Sequence, residues 1–211
     1  IDSLDTLFLM GLDAEFKSAK HFVEHEFKFD GKINVFENNI RVLGGLLSAY
    51  SLTKEPLFLS KAKMVGEVLL TAFPHRIPCG VIDTNRPGFC GSQPWAGGKS
   101  INAEVGTLSL EFVALSKFTG DKRWSNKIAA IMQQMSKNMQ VIAITHLPQI
   151  AAKGSNHYKV YKEEVKGVTT TNLKELSSEE RIIEIAEMLS GKDISDSALI
   201  HAKELLNYSL N

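Results

Sequence analysis

Glu37 and Arg41 stand four residues apart in a stretch, 36–50, that is otherwise mostly apolar. On a helix that spacing puts both side chains on one face, within reach of each other. An arginine so placed orients a carboxylate and lowers its proton affinity unless burial opposes it, one way of tuning a catalytic acid. Without its surroundings the same pair is an exposed ion pair contributing about 0.3–0.5 kcal/mol. His21 and His25 share the i, i+4 spacing and could share a metal. HExxH is absent and no third ligand is visible in the sequence, so a solvated helix face is expected. Cys79 and Cys90, with ten residues between them, form a disulfide in an oxidising compartment or stay two thiols elsewhere. His146 follows the apolar run 140–145, and ligands of open α/β sheets lie beyond the carboxyl ends of strands.

The elements that must position these residues change character along the chain. Leu4, Leu7, Phe8 and Leu12 predict a first helix, and Asp13 is placed to cap a second that carries Phe16, Ala19, Val23 and Phe27. After Asp30-Gly31 a third helix is expected over 35–51, with Phe36, Ile40, Leu43, Leu47 and Tyr50 inward. Gly44-Gly45 costs it about 1 kcal/mol per glycine relative to alanine, which suits close helix packing. A fourth helix is expected over 56–71, with Pro56 in its first turn. Residues 73–100, rich in proline and glycine, read as one long loop, and a fifth helix as 101–118. Such pairs with short connections suggest an array of αα-hairpins.

The 211 residues carry 24 basic and 24 acidic side chains, a balance that argues against a dedicated nucleic-acid binder. No apolar run approaches the ~18 residues of a membrane span. The sequence opens in mid-pattern at Ile1 and is expected to be part of something larger. All eleven phenylalanines, both tryptophans, both cysteines and twelve of the fifteen glycines fall in residues 1–124. That break predicts two parts, 1–124 and 125–211.

In the first part, DSLDTLFLMGL at 2–12, FENNIRVLGGLLSAY at 36–50 and AEVGTLSLEFVALSKFTGD at 103–121 resemble, in order and spacing, the family 47 glycoside hydrolases, class I α-1,2-mannosidases that trim N-linked glycans. The resemblance implies part of a barrel of seven helix pairs, (α/α)7, hydrolysis with inversion and one bound calcium ion. It places Glu37 as general acid with Arg41 beside it, and Asp2, Asp5 and Glu104 at the sugar pocket, for a mannose-rich oligosaccharide substrate. An inverting glycosidase needs two carboxyl groups roughly 6.5–9.5 Å apart. The family's base and calcium site lie outside the matched motifs, so the chain alone is expected to be inactive.

In the second part, the run 140–145 predicts a buried strand, 157–173 a β-hairpin turning at Lys166-Gly167, and Ser177 with Glu180 a capping box for a helix to about Leu189. Residues 193–196 offer caps for a last helix through Leu206. Lys153, Lys159, Lys162 and Lys166 read as the solvated face and edge of the hairpin. The strings at 140–160, 176–191 and 198–206 resemble the C-terminal end of the bacterial DNA repair protein RecN, an ABC-type ATPase. That resemblance implies ATP and magnesium, a nucleotide-contacting role for His146, and nucleic acid as a partner. GxxxxGK[ST] is absent from the sequence. The fold class expected is therefore a mainly α part followed by a small α/β part with a buried strand and a hairpin, a composite of two truncated domains. The two resemblances point to different compartments, secretory lumen and bacterial cytoplasm. Truncation is expected to leave Phe36, Leu43, Leu47 and Phe112 without neighbours and to drive self-association.

Overall fold

The structure, a computed structural model, describes residues 1–74, 77–165, 168–191 and 193–207. It divides into two compact units, Ile1–Ile131 and Met132–Asn211.

The first unit is helical around a small sheet. Helices α1 (Leu4–Leu9) and α2 (Asp13–His25) lead to a three-residue strand, β1 (Lys32–Asn34). Asp13 is the first helical residue of α2, and Leu12 holds the cap position instead. The chain then turns directly into one long helical rod. It comprises α3 (Val35–Asn38), a wide π-turn over Asn39–Leu43, and α4 (Gly44–Thr53). Asn34 starts the rod by accepting the Glu37 backbone N–H on its side chain, a conventional N-cap. Lys54, in the left-handed region at φ 59°, ends it. Helix α5 (Pro56–Leu70) follows with its proline in the first turn, as the sequence predicts.

The described residues of the expected loop over 73–100 include regular structure. Within them β2 (Val81–Asp83) pairs antiparallel with both β1 and β3 (Cys90–Gly91), and a short 3₁₀ turn spans Pro94–Ala96. Cys79 and Cys90 are disulfide-bonded with their Cα atoms 5.2 Å apart. The strands are too short for period-two alternation to show in the sequence. The expected fifth helix is broken into α6 (Asn102–Gly106) and α7 (Ser109–Thr119), the break following Gly106. Gly120, at φ 75°, closes α7, and α8 (Arg123–Met135) follows, with the division between units inside it.

The expectation of bare helix faces is corrected. Leu43, Leu47 and Phe112 are buried and Phe36 is partly buried, because α4, α5 and α7 pack on one another. Gly66 makes this possible: a Cβ there would collide with the Leu115 side chain and stand 3.1 Å from Trp124 Nε1. Phe58, Phe112 and Trp124 fill the core at essentially zero exposure. Burying side chains of that size contributes roughly 1.5–3 kcal/mol each.

In the second unit the expected buried strand over 140–145 does not form. The segment is irregular, with Ile142 and Ile144 83% and 101% exposed. A β-branched run becomes a buried strand only where neighbours supply ladder partners and cover both faces. The hairpin is present as β4 (Tyr158–Val165) and β5 (Val168–Glu175), in register from Tyr158↔Glu175 to Val165↔Val168. Its expected turn, Lys166-Gly167, lies outside the described residues. A single turn α9 (Pro148–Ala151), α10 (Ser178–Ser190) and α11 (Asp196–Asn207) complete the unit. Ile185, Ala186, Ala198, Ala202 and Leu206 form its core with Ala152. The Ser177–Glu180 capping box forms in both directions, and Ser195 Oγ accepts the Ala198 N–H at the start of α11. Lys159 keeps a side chain 40% exposed and is ion-paired to Glu184 at 2.5 Å and Glu187 at 3.2 Å on α10.

Candidate active site

The site is built on the rod. The Asn34 cap fixes the first helical turn, which carries Glu37. One turn on, Arg41 Nε donates to Glu37 Oε2 at 2.5 Å, and Arg41 Nη1 reaches Asp2 Oδ2 at 3.2 Å. A single guanidinium thus joins the carboxylate of Glu37, four residues before it, to that of Asp2, 39 residues before it in sequence. Glu37 and then Asp2 hold the Arg41 guanidinium above its ordinary value, so it stays a cation. Asp2 reaches Arg41 because Gly45 lets the chain start cross the rod: a Cβ at Gly45 would lie 2.9 Å from the Ile1 carbonyl oxygen. The close packing expected of Gly44-Gly45 is therefore found at Gly45, and against backbone.

Glu104, on α6, lines a small cavity of about 10 Å³ with Phe36, Lys99 and Cys79. Burial first, and then the charge of Glu37, push its carboxyl above the usual range. Asp5 is held apart from the arginine. It accepts from Ser48 Oγ at 2.9 Å and from the Thr6 backbone N–H at 2.7 Å. Asp2, Asp5, Ser48 and Glu111 line an open cleft of about 470 Å³ beside the rod.

Glu111 and Asn39 were not singled out from the sequence. Asn39 is fully buried and donates through Nδ2 to Glu111 Oε2 at 2.6 Å, across 72 residues. Burial raises the Glu111 carboxyl, and hydrogen bonds from its own backbone and from Asn39 partly offset this. A signal was available: Leu108, Glu111, Phe112 and Leu115 share one helical face, so Glu111 is a carboxylate in core register.

His21 and His25 are both exposed, with ring centroids 4.5 Å apart, and no third ligand joins them. Among the described residues no group of three or more His, Cys, Asp or Glu side chains could hold a metal ion. His146 is exposed in an irregular segment rather than at a strand end, which removes the structural basis for its expected nucleotide contact. No described helix is long and apolar enough to cross a membrane.

Chemically, the cluster offers a carboxylate paired to an arginine, a second carboxyl whose proton affinity is raised in part by the first, and alongside them a cleft in which Asp2, Asp5 and Glu111 stand among apolar walls such as Ile40, Leu110 and Phe118. Carboxyl groups gathered in this way suit general acid–base chemistry.

The glycosyl hydrolase family 47 model matches residues 1–159. The mannosyl-oligosaccharide 1,2-α-mannosidase MNS1 of Arabidopsis thaliana is 44% identical over 143 residues, 65% of this chain and 25% of that protein. Mannosyl-oligosaccharide 1,2-α-mannosidase IB of Mus musculus is 42% identical over 142 residues, 65% of this chain and 22% of that protein. An α-1,2-mannosidase from Trichoderma reesei superposes with a TM-score of 0.54 at 27% identity, over 70% of this chain and 33% of that one. The chain thus spans about a quarter of the length of these curated relatives. The family match includes residues 126–159, part of the stretch that resembles RecN. Neither the RecN-like reading nor a composite chain, with the ATP, magnesium and nucleic acid they imply, gains support, and neither does self-association. The chain belongs to glycosyl hydrolase family 47.

Proposed function

We propose that this chain supplies the acid side of an inverting α-1,2-mannosidase site acting on terminal α-1,2-linked mannose of N-glycans. Glu37 is the general acid and Arg41 its orienting partner, with Asp2, Asp5 and Glu104 around the sugar. The observation that supports this reading is the Arg41 bridge, which ties Glu37 to Asp2, itself a residue of the cleft wall. A positioned acid contributes roughly 10²–10⁴-fold to a hydrolysis, and the reaction also needs a base that activates water on the other face of the sugar. We assign no base and no calcium ligand among the described residues, so the chain alone is expected to bind without turnover. No step is derived through the metal.

The test is titration of the purified chain with an α-1,2-linked mannose disaccharide, followed by NMR and by assay of released mannose, with calcium and then with chelator. The expected result is movement of the Glu37, Arg41 and Glu104 signals and no release. Movement confined to other residues, or none at tens of millimolar sugar, overturns the site. Calcium-dependent release overturns the half-site reading, and release that survives Glu37→Gln unchanged removes Glu37 as the acid.

A further inference from the structure

We propose that Asn39 and Glu111 are positioning residues: their buried hydrogen bond braces the π-turn that sets Arg41 against Glu37. The inference rests on the reading of Glu37 as the acid, but its geometry stands without it.

The rod does not need a π-turn to remain a helix. Such turns are rare, occur mostly as single insertions inside α-helices, and are frequent at functional sites. This one spans Asn39–Leu43 and contains Arg41. The Gly44 N–H bonds to the Asn39 carbonyl five residues back, the wide spacing that defines it. One inserted residue turns everything downstream by about 100° relative to an unbroken α-helix. Downstream lie Gly45, which must face the Ile1 carbonyl, and Ser48, which holds Asp5. Upstream lies Glu37. The turn therefore sets the angle between the acid and both aspartates.

Something must hold the wide turn open, since relaxing it would restore regular backbone bonding. Asn39 is its first residue, fully buried, and its side chain is tied to a carboxylate on a different helix, α7. The same residue also supplies the carbonyl that closes the turn. Its Oδ1 is buried with no partner, so the amide is kept in place for the bond its Nδ2 makes rather than for full satisfaction. A leucine would fill the position with no orphaned atom. A buried amide bonded to a carboxylate is a local anchor with one preferred geometry, and hydrogen bonds to charged groups are stronger than neutral ones.

The experiment follows the Arg41 Nε–H in ¹⁵N NMR spectra of the 211-residue chain, reading its exchange with water as a measure of the Glu37 contact. Glu111→Leu and Asn39→Leu are expected to speed that exchange about tenfold or more. Glu111→Gln, which keeps an oxygen facing Asn39, is expected to stay within about twofold of the parent. Leu115→Ala, a core truncation on the same helix, serves as the control for lost stability. Unchanged Arg41 exchange in Glu111→Leu overturns the brace, whether or not Asn39→Leu folds. Equal acceleration in Leu115→Ala at matched stability also overturns it, since general loosening would then suffice. Sugar titration is a separate readout, so loss of mannose binding would sink the functional reading without moving this signal.

Discussion

Gly45 and Ile1 meet backbone to backbone: a Cβ on Gly45 would stand 2.9 Å from the Ile1 carbonyl oxygen and 3.4 Å from Asp2 Cα. Real Cβ atoms do not sit that close to a carbonyl, and the obstacle is backbone, not a side-chain tip that could swing away. Gly45→Ala should therefore displace the first residues and break the Asp2–Arg41 contact, at about 1–3 kcal/mol. Its neighbour is the control. A Cβ on Gly44 would meet Asn39 O at 3.6 Å and Glu111 Cγ at 3.7 Å, ordinary contacts. Gly44→Ala should be neutral or stabilising by up to about 1 kcal/mol through helix propensity. Urea midpoints of the two variants decide it, and equal losses would refute the assignment.

Glu111 makes a pH prediction with a definite sign. Its folded carboxyl lies above its ordinary value of 4.5 because burial disfavours the charge. A raised folded value means the native chain holds the proton more tightly than the unfolded one. The linked stability is therefore fully present below about 4.5 and lost as pH rises through the folded value. Glu111→Gln keeps an acceptor for Asn39 and removes the titration. Its stability should fall less than the parent's as pH rises from 4 to 8, read from urea midpoints. Parallel curves would show that Glu111 titrates alike in both states.

The helices were legible because their apolar spacing is strong, and so was the Glu37–Arg41 pair, whose geometry is local. The Ser177–Glu180 box could be read for the same reason. What escaped depends on distance in sequence. Asp2 reaching Arg41 across 39 residues leaves no mark on either segment. The three-residue strands β1 and β2 are paired across the whole of α5 and offer too few positions for a period. The π-turn is invisible to a 3.6-residue pattern, which simply slips by one. The run 140–145 fails in the opposite way: its residues favour a strand, but propensity supplies no partners.

The Cys79–Cys90 disulfide closes a short loop around β2 and β3. Cys79 is also bound through its N–H to Ala72 O at 2.8 Å, at the end of α5. Closing a loop of this size restricts the unfolded chain by about 2–3 kcal/mol. Reductant, or Cys79→Ser with Cys90→Ser, should lower the stability of the first unit by that amount. A denaturation midpoint unchanged after thiol counting confirms reduction would show that the strands hold themselves.

In the second unit Ser177 caps α10 and Glu180 answers it, the Ser177 N–H donating to Glu180 Oε2 at 2.9 Å. Lys174 donates to the other carboxyl oxygen at 2.5 Å. Lys174 foremost, then the Ser177 backbone, hold the Glu180 carboxyl down at about 2. A depressed folded value contributes stability that is present above the ordinary 4.5 and lost as pH falls toward about 2. The group is solvent-exposed, so added salt should weaken the Lys174 part. Ser177→Ala removes the cap and should cost about 1 kcal/mol at neutral pH. Glu180→Gln should flatten the acid limb between those two values. Hydrogen exchange of the first-turn amides of α10 reads both effects. Protection in Ser177→Ala equal to the parent, or an acid limb unaltered in Glu180→Gln, would show that α10 is held by its core contacts at Ile185 and Ala186 alone.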